Sequence, residues 1–158
     1  MFRIGLGHDT HRLGSGDGLV IGGITIPHDR AAIGHSDADV LLHAITDAIL
    51  GAAALGDIGE MFPDTDPANK GRDSADMLRR AAARVAAAGW RLANLDCVIL
   101  AQRPKILPHR PAMRRRIAEI LGVEESAVWL KAKTGESVGP IGEELAIGAE
   151  CVVLLERA

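Results

Sequence analysis

The sequence predicts a single α/β domain over residues 1–158: an α+β sandwich in which a mixed four-stranded sheet carries helices on one face, with a small N-terminal hairpin. Three observations predict it. Strand-like and helix-like stretches are interspersed without strict alternation, which favours a mixed sheet over a parallel, doubly wound one. From Leu145 to Leu155 every odd position is apolar, the two-residue period of a strand with one buried face. The 158 residues are 47% apolar and 25% charged, which suits one globular core and argues against disorder.

Met1 to Gly7 reads as a strand that runs into His8-Asp9-Thr10-His11. Leu19-Val20-Ile21 and Ile24-Thr25-Ile26 flank Gly22-Gly23, a two-residue hairpin signal. Ser36 and Asp39, three apart, resemble a capping box. The helix they open runs to about Ala54, with Leu41, Ile45, Ala48, Ile49 and Ala52 inward. Gly56 to Arg72 is rich in Gly, Asp and Pro and reads as a long loop; loops of that length are more often functional than accidental. Ser74 caps a second helix that Gly89 ends, with Met77, Leu78, Ala81, Val85 and Ala88 inward. Asp96 to Gln102 is a β-rich run, which Arg103-Pro104-Lys105 and Pro108 interrupt. Pro111 to Leu121 forms a third helix, closed by Gly122. Val128–Lys133 and Leu145–Leu155 supply the last strands, with a flexible Thr134–Gly139 loop between them.

Composition narrows the function. The longest uncharged apolar stretch, Ala48 to Leu55, is far short of the ~20 residues of a membrane span, and no basic and apolar leader is visible. A cytosol-like setting is the expectation. Cys97 and Cys151, without a C-x-x-C, offer neither a disulfide framework nor a thiolate zinc site, and read as small core residues. Nucleic acid is disfavoured as a partner, because Tyr is absent, aromatics are 3%, and no basic stripe joins them. The net charge of −3 hides an asymmetry: residues 1–66 carry a balance of −7 and the remainder +4. Five of the six histidines also sit in the first 43 residues. Asp and His crowded together with few local cations suggest a metal; acidic turns are the competing reading.

Asp9 and His11 lie two apart on a strand, so both side chains leave the same face. The first helix supplies Asp39, His43 and Asp47 at i, i+4 and i+8, along one of its own faces. One carboxylate and two imidazoles would leave a zinc ion with an open position, the pattern of catalytic sites; the same set suits non-haem iron. Asp39 or Asp47 would then accept a hydrogen bond from the His43 ring and hold it. An Asp-x-His run is common, so a second constellation must agree. Phe62-Pro63-Asp64-Thr65-Asp66 puts two carboxylates on a tight turn, suited to sugar hydroxyls or a hard cation, or simply to an Asp-Pro turn. Gln102 to Pro108 offers proline-stiffened backbone beside a cation, fit for a nucleobase edge and its phosphate, or for a stiff connection. Thr134-Gly135-Glu136, following Lys131 and Lys133, combines a hydroxyl, N–H groups, cations and a carboxylate, which is phosphate-plus-metal chemistry. No Gly-Lys dipeptide occurs, which excludes a Walker-type loop. His35-Ser36, at a helix N-terminus, suits an anionic group. His28, His109 and Arg114-Arg115-Arg116 read as solvated surface.

Taken in order, several motifs span about Ile4 to Leu155. They are Gly7-His8-Asp9-Thr10-His11-Arg12, then His35-Ser36-Asp37-Ala38-Asp39 with His43 and Asp47, then Gly51 to Gly59. Phe62 to Pro67, Gln102-x-Pro104-Lys105 and Lys131-Ala132-x-Thr134-x-Glu136 complete them. Together they resemble the 2-C-methyl-D-erythritol 2,4-cyclodiphosphate synthase family of the non-mevalonate isoprenoid pathway.

That resemblance implies an enzyme, a phosphorus–oxygen lyase, that cyclises 4-diphosphocytidyl-2-C-methyl-D-erythritol 2-phosphate and releases CMP. It implies Zn2+, or another divalent ion, on Asp9, His11 and His43, and Mg2+ or Mn2+ on the substrate diphosphate, held with Glu136. His35 and Thr134 would stabilise the transition state. Ser36, Asp57, Ile58, Gly59, Phe62, Pro63, Asp64, Thr65 and Asp66 would contact or enclose the methylerythritol phosphate. Ala101, Gln102, Arg103, Pro104, Lys105, Ile106 and Leu107, with Lys133 and Gly135, would hold the nucleotide. It further implies a homotrimer with sites between subunits, in a bacterial cytoplasm or a plastid stroma. Two departures stand out. Lys133 replaces a common threonine, which bears on the nucleotide phosphate. Pro140, Glu143 and Glu144 fall where the family often has Phe, Arg and Gly, so an anionic isoprenoid diphosphate on the trimer axis is expected to bind poorly.

Overall fold

The computed structural model describes every residue from Met1 to Ala158. Its strands are β1 (Phe2–Ser15), β2 (Leu19–Ile21), β3 (Ile24–Ile26), β4 (Arg30–Ile33), β5 (Trp90–Leu100), β6 (Val128–Lys133) and β7 (Ala146–Arg157). The helices are α1 (Val40–Ala53), α2 (Ile58–Met61), α3 (Ser74–Ala87), α4 (Arg110–Leu121) and α5 (Gly139–Gly142). The main sheet runs β4-β1-β7-β5-β6, with β5 and β6 parallel and every other pair antiparallel; β2 and β3 form the small hairpin. The mixed sheet with helices on one face is as expected, but it has five strands rather than four.

The fifth strand follows from the length of β1. That strand continues past Gly7 to Ser15, and its pairing with β7 ends at Arg12↔Ala146. The last turnless stretch, Arg12 to Ser15, needs another partner, and β4 pairs with it residue for residue. Asp9 and His11 therefore lie inside a paired strand, on its inward face with Gly5 and Gly7.

Those two glycines decide how closely α1 sits on the sheet. A Cβ on Gly5 would meet the Ala48 carbonyl oxygen at 2.0 Å, and one on Gly7 the Ala44 oxygen at 1.9 Å. The helix answers with alanines at 44, 48 and 52, so backbone lies on backbone. Around this contact Leu41, Ile45, Leu78, Leu95, Ile99, Met113 and Ile117 are all fully buried. The opposite face of the sheet is bare: Phe2 is 65% exposed, Ile4 74%, Leu6 68% and Val152 47%.

Helix ends depart in detail from the sequence reading. The N-cap of α1 is Asp39 rather than Ser36, accepting from the Leu42 N–H at 3.0 Å. Asp73, not Ser74, caps α3 through the Ala75 N–H at 2.9 Å. Between Gly56 and Arg72 the chain holds α2, capped by Asp57, and a 3-10 turn at Pro67–Asn69, capped by Asp66. The presumed surface residues are not all solvated. The His28 side chain is 5% exposed, and Arg114 donates to the Val128 and Glu125 carbonyls while its guanidinium lies over the Trp129 ring.

Candidate active site

Because α1 lies on β1, His43, next to the Ala44 that touches Gly7, reaches Asp9 and His11. Asp9 Oδ2 is 2.8 Å from His11 Nε2 and 3.0 Å from His43 Nδ1, and the two ring nitrogens are 3.2 Å apart. A tetrahedral site with bonds of 2.0–2.1 Å has ligand–ligand edges of about 3.3 Å. The three atoms thus form one face of such a tetrahedron, an oxygen and two nitrogens suited to a divalent ion. The groups are partly buried, and they face a cavity of about 380 Å³ that leaves a fourth position open.

Electrostatics fit that use. Burial would raise the Asp9 carboxyl, but hydrogen bonds and charge from His11 and His43 outweigh it and hold it well below the usual carboxylate range. Burial would lower His11, yet its pairing with Asp9 and a hydrogen bond to the Ile33 carbonyl raise it. The site is poised as a carboxylate between imidazoles.

Behind the triad lies a support that sequence reasoning missed. His43 Nε2, the nitrogen turned away from Asp9, is 2.8 Å from Ser74 Oγ and 3.1 Å from Ser36 Oγ. Ser74 is fully buried, and its hydroxyl and N–H both bind the Asp37 carboxylate. The two acids assigned to that task do other work. Asp39 accepts from the Gly22, Gly23 and Leu42 N–H groups, fastening the hairpin to the start of α1. Its carboxyl points away from His43 because an N-cap must face its own helix end; full burial raises it to about 6 against those donors. Asp47 accepts from the Ile58 N–H at 2.7 Å, pinning α2, and burial raises its pKa.

His35, Ser36, Ile58, Gly59, Phe62 and Asp64 line the same cavity as the triad, joined by Gly34, Asn69 and Met77. Phe62 is buried beneath the Arg72 guanidinium. Asn69 shapes the neighbouring turn, donating to the Pro63 carbonyl and accepting from Arg72. Asp57 and Asp66 act as caps, and Pro63 and Thr65 stand exposed on the turn.

A second concavity, of about 300 Å³, lies at the β5–β6 end of the sheet. Ala101, Gln102 and the Pro104–Pro108 segment form one wall, and Ala132, Lys133 and Thr134 the other. Arg103 does not line it. Its guanidinium turns outward onto Glu144 and Asp29, drawn by two carboxylates, so only the backbone of Arg103 is left to face a nucleotide there. Thr134 Oγ1 bonds the Glu136 carboxylate at 3.2 Å and accepts from the Glu136 N–H. Gly135 sits against Gly142, whose nitrogen a Cβ would meet at 2.3 Å, so α5 braces this loop.

β1 and β6 are three strand spacings apart, about 14 Å. Within one chain the triad and the Lys133–Glu136 loop accordingly belong to different sides of the sheet.

Comparison with known proteins names the group. The YgbB family model matches residues 2–156. Among relatives called 2-C-methyl-D-erythritol 2,4-cyclodiphosphate synthase, that of Chromobacterium violaceum is 58% identical over the whole of both chains. That of Gemmatimonas aurantiaca is 56% identical over 94% of this chain and 89% of its own. A solved 2C-methyl-D-erythritol-2,4-cyclodiphosphate synthase superposes with a TM-score of 0.90 at 42% identity, covering 98% of this chain and all of that one. Its CDP-bound form gives the same TM-score at 40% identity and the same coverage. The bifunctional IspDF of Campylobacter jejuni reaches 0.96 at 39% identity, over all of this chain and 43% of that one. With a family model spanning nearly every residue and relatives this similar from end to end, the chain belongs to the YgbB family, the 2-C-methyl-D-erythritol 2,4-cyclodiphosphate synthases.

Proposed function

We propose that this protein converts 4-diphosphocytidyl-2-C-methyl-D-erythritol 2-phosphate to 2-C-methyl-D-erythritol 2,4-cyclodiphosphate and CMP, as a phosphorus–oxygen lyase of isoprenoid precursor synthesis in the cytoplasm. The observation that carries this reading is the convergence of Asp9, His11 and His43 at a cavity mouth, in a chain 58% identical to a synthase of that name.

An oxygen of the substrate's 2-phosphate attacks the β-phosphorus, and the bond from that phosphorus to the bridging oxygen breaks. The bridging oxygen departs with CMP, so neither a protein nucleophile nor water is consumed. Asp9, His11 and His43 would hold a divalent ion, zinc being the best match to their donors, and Glu136 would hold magnesium or manganese on the diphosphate; both neutralise charge on phosphoryl oxygens. The chain's own task is then positioning, which dominates phosphoryl transfer. His35 and Ser36, both at the cavity wall, orient the attacking phosphate. Ile58 and the buried Phe62 wall off water, which would otherwise give a linear product. The carboxylates of Asp57, Asp64 and Asp66 suit the hydroxyls of methylerythritol. Backbone between Ala101 and Leu107 suits the cytosine edge, with Lys105, Lys133, Thr134 and Gly135 for the nucleotide phosphate.

The active assembly we propose is a homotrimer in which the triad of one subunit meets the nucleotide loop of its neighbour. Two observations support it: the bare apolar sheet face, and the roughly 14 Å between β1 and β6 in one chain. The test is metal analysis of the purified protein alongside a CMP-release assay followed by phosphorus NMR. Ring closure leaves CMP as the sole phosphomonoester among the products; monoester signals beyond that of CMP, from a linear bisphosphate, would instead mean that water attacks, and the cyclase reading would fall.

A further inference from the structure

Glu144 carries a left-handed backbone, φ +57°, at the end of α5. That turn is closed by backbone, the Glu144 N–H donating to the Ile141 carbonyl and the Leu145 N–H to that of Pro140, which leaves the Glu144 carboxylate free to take another partner. The Arg103 Nε donates to both Glu144 carboxylate oxygens, at 2.9 and 3.0 Å, and Nη2 lies 2.8 Å from Oε2. Nη2 also reaches Asp29, 3.4 Å away, in the connection before β4. Arg103 lies within the segment that walls the second concavity, yet it lines no part of it. One residue back, the Gln102 side chain accepts from the Ser137 N–H at 3.4 Å. Two neighbouring side chains of the 101–107 segment are thus fastened to the 134–144 loop, one through its start and one through its end.

We propose that Arg103 is a positioning residue: the Arg103–Glu144–Asp29 clasp holds the 101–107 segment against the 134–144 loop and so sets the affinity of that concavity for a cytidine diphosphate, without touching it. The inference rests on the nucleotide assignment made above. A planar guanidinium fork shared by two carboxylates is the geometry in which a surface ion pair does contribute. It also leaves Arg103 without a free face for a phosphate.

Calorimetry with CDP on the wild type, Arg103→Ala and Glu144→Gln tests the idea through its sign. If Arg103 positions, both variants weaken CDP about twofold to fivefold, and KM moves more than kcat. Arg103→Lys, which keeps a charge beside Glu144, recovers part of the loss. If Arg103 grips the nucleotide directly, Glu144→Gln releases it and tightens CDP while Arg103→Ala weakens it, and the proposal is overturned. Hydrogen exchange on the nucleotide-free protein separates the clasp from the nucleotide assignment. Both variants should exchange faster across residues 101–107; unchanged exchange overturns the clasp. A wild type that fails to bind CDP, with both variants loosened, overturns the nucleotide assignment and the binding role with it.

Discussion

Ser74 shows how much a single buried hydroxyl carries here. It meets His43 Nε2 at 2.8 Å and is itself held by Asp37, so the ring is fixed with Nδ1 toward Asp9. Ser74→Ala should weaken divalent-metal binding about 10- to 100-fold, measured by competition with a chelating dye, because such outer partners orient metal-ligating imidazoles. An unchanged affinity would leave Ser36 as sufficient support. His43→Ala and Asp9→Ala should abolish both metal uptake and turnover while circular dichroism stays native; turnover surviving either change would remove the triad from the chemistry. Asp39 gives a pH signature. Its folded pKa of about 6 lies above the ~3.9 of an unfolded aspartate. The folded state therefore binds that proton more tightly, and the stabilisation is complete below about pH 4 and lost as pH rises through about 6. Urea titrations should show the wild type losing on the order of 1–3 kcal/mol relative to Asp39→Asn between pH 4 and pH 7. The opposite trend would mean that the three N–H donors keep Asp39 ionised. Asp9 and His11 were legible as a pair because the strand period puts them on one face, whereas the helix period aligned His43 with Asp39 and Asp47, and it was the family resemblance that joined it to the pair. Ser74 was not, since 31 residues separate it from His43 and only the packing of α3 on α1 joins them.

At the level of elements, the approach of α1 to β1 is what builds the site. Gly7→Ala would drive a Cβ into the Ala44 carbonyl, and α1 would have to lift, taking His43 with it. We expect a loss of about 1–3 kcal/mol in stability, as for other overpacked cores, together with loss of metal binding. Gly51→Ala is the control: on the same helix, with nothing within 4 Å, it should leave stability unchanged or raise it by about 0.5–1 kcal/mol. Equal effects from the two would show that backbone contact is not what fixes α1. Helix extents were readable from apolar period, and α1 ends one residue from the expected Ala54. Caps were not, because Ser36-Asp37-Ala38-Asp39 offers three capping side chains and only tertiary contacts assign them: Ser36 to His43, Asp37 to Ser74, Asp39 to the helix. β4 escaped notice for a related reason. Arg30-Ala31-Ala32-Ile33 has little strand propensity of its own and is ordered by the overhang of β1.

For the whole molecule, the proposed function asks how the triad on β1 and the loop after β6, three strands apart in one sheet, would act on one substrate. Helices cover a single face, and the other presents Phe2, Ile4, Leu6 and Val152 to solvent, an area that closed symmetric assembly would bury. In a cyclic trimer each chain can give its β4–β1 side to one neighbour and its β6 edge to the other, so that every site is shared. Mixed assemblies test the arrangement directly. His43→Ala removes the triad half and Glu136→Ala the loop half, and each alone should be inactive. When the two are co-expressed in equal amounts, a shared site is intact only if its triad comes from the Glu136 variant and its loop from the His43 variant, about a quarter of sites under random mixing. Activity should then return to about a quarter of the wild-type level per site. If each chain completes its own site, every site in the mixture still carries one lesion and activity stays at zero, which would refute the shared arrangement whatever the oligomer's size.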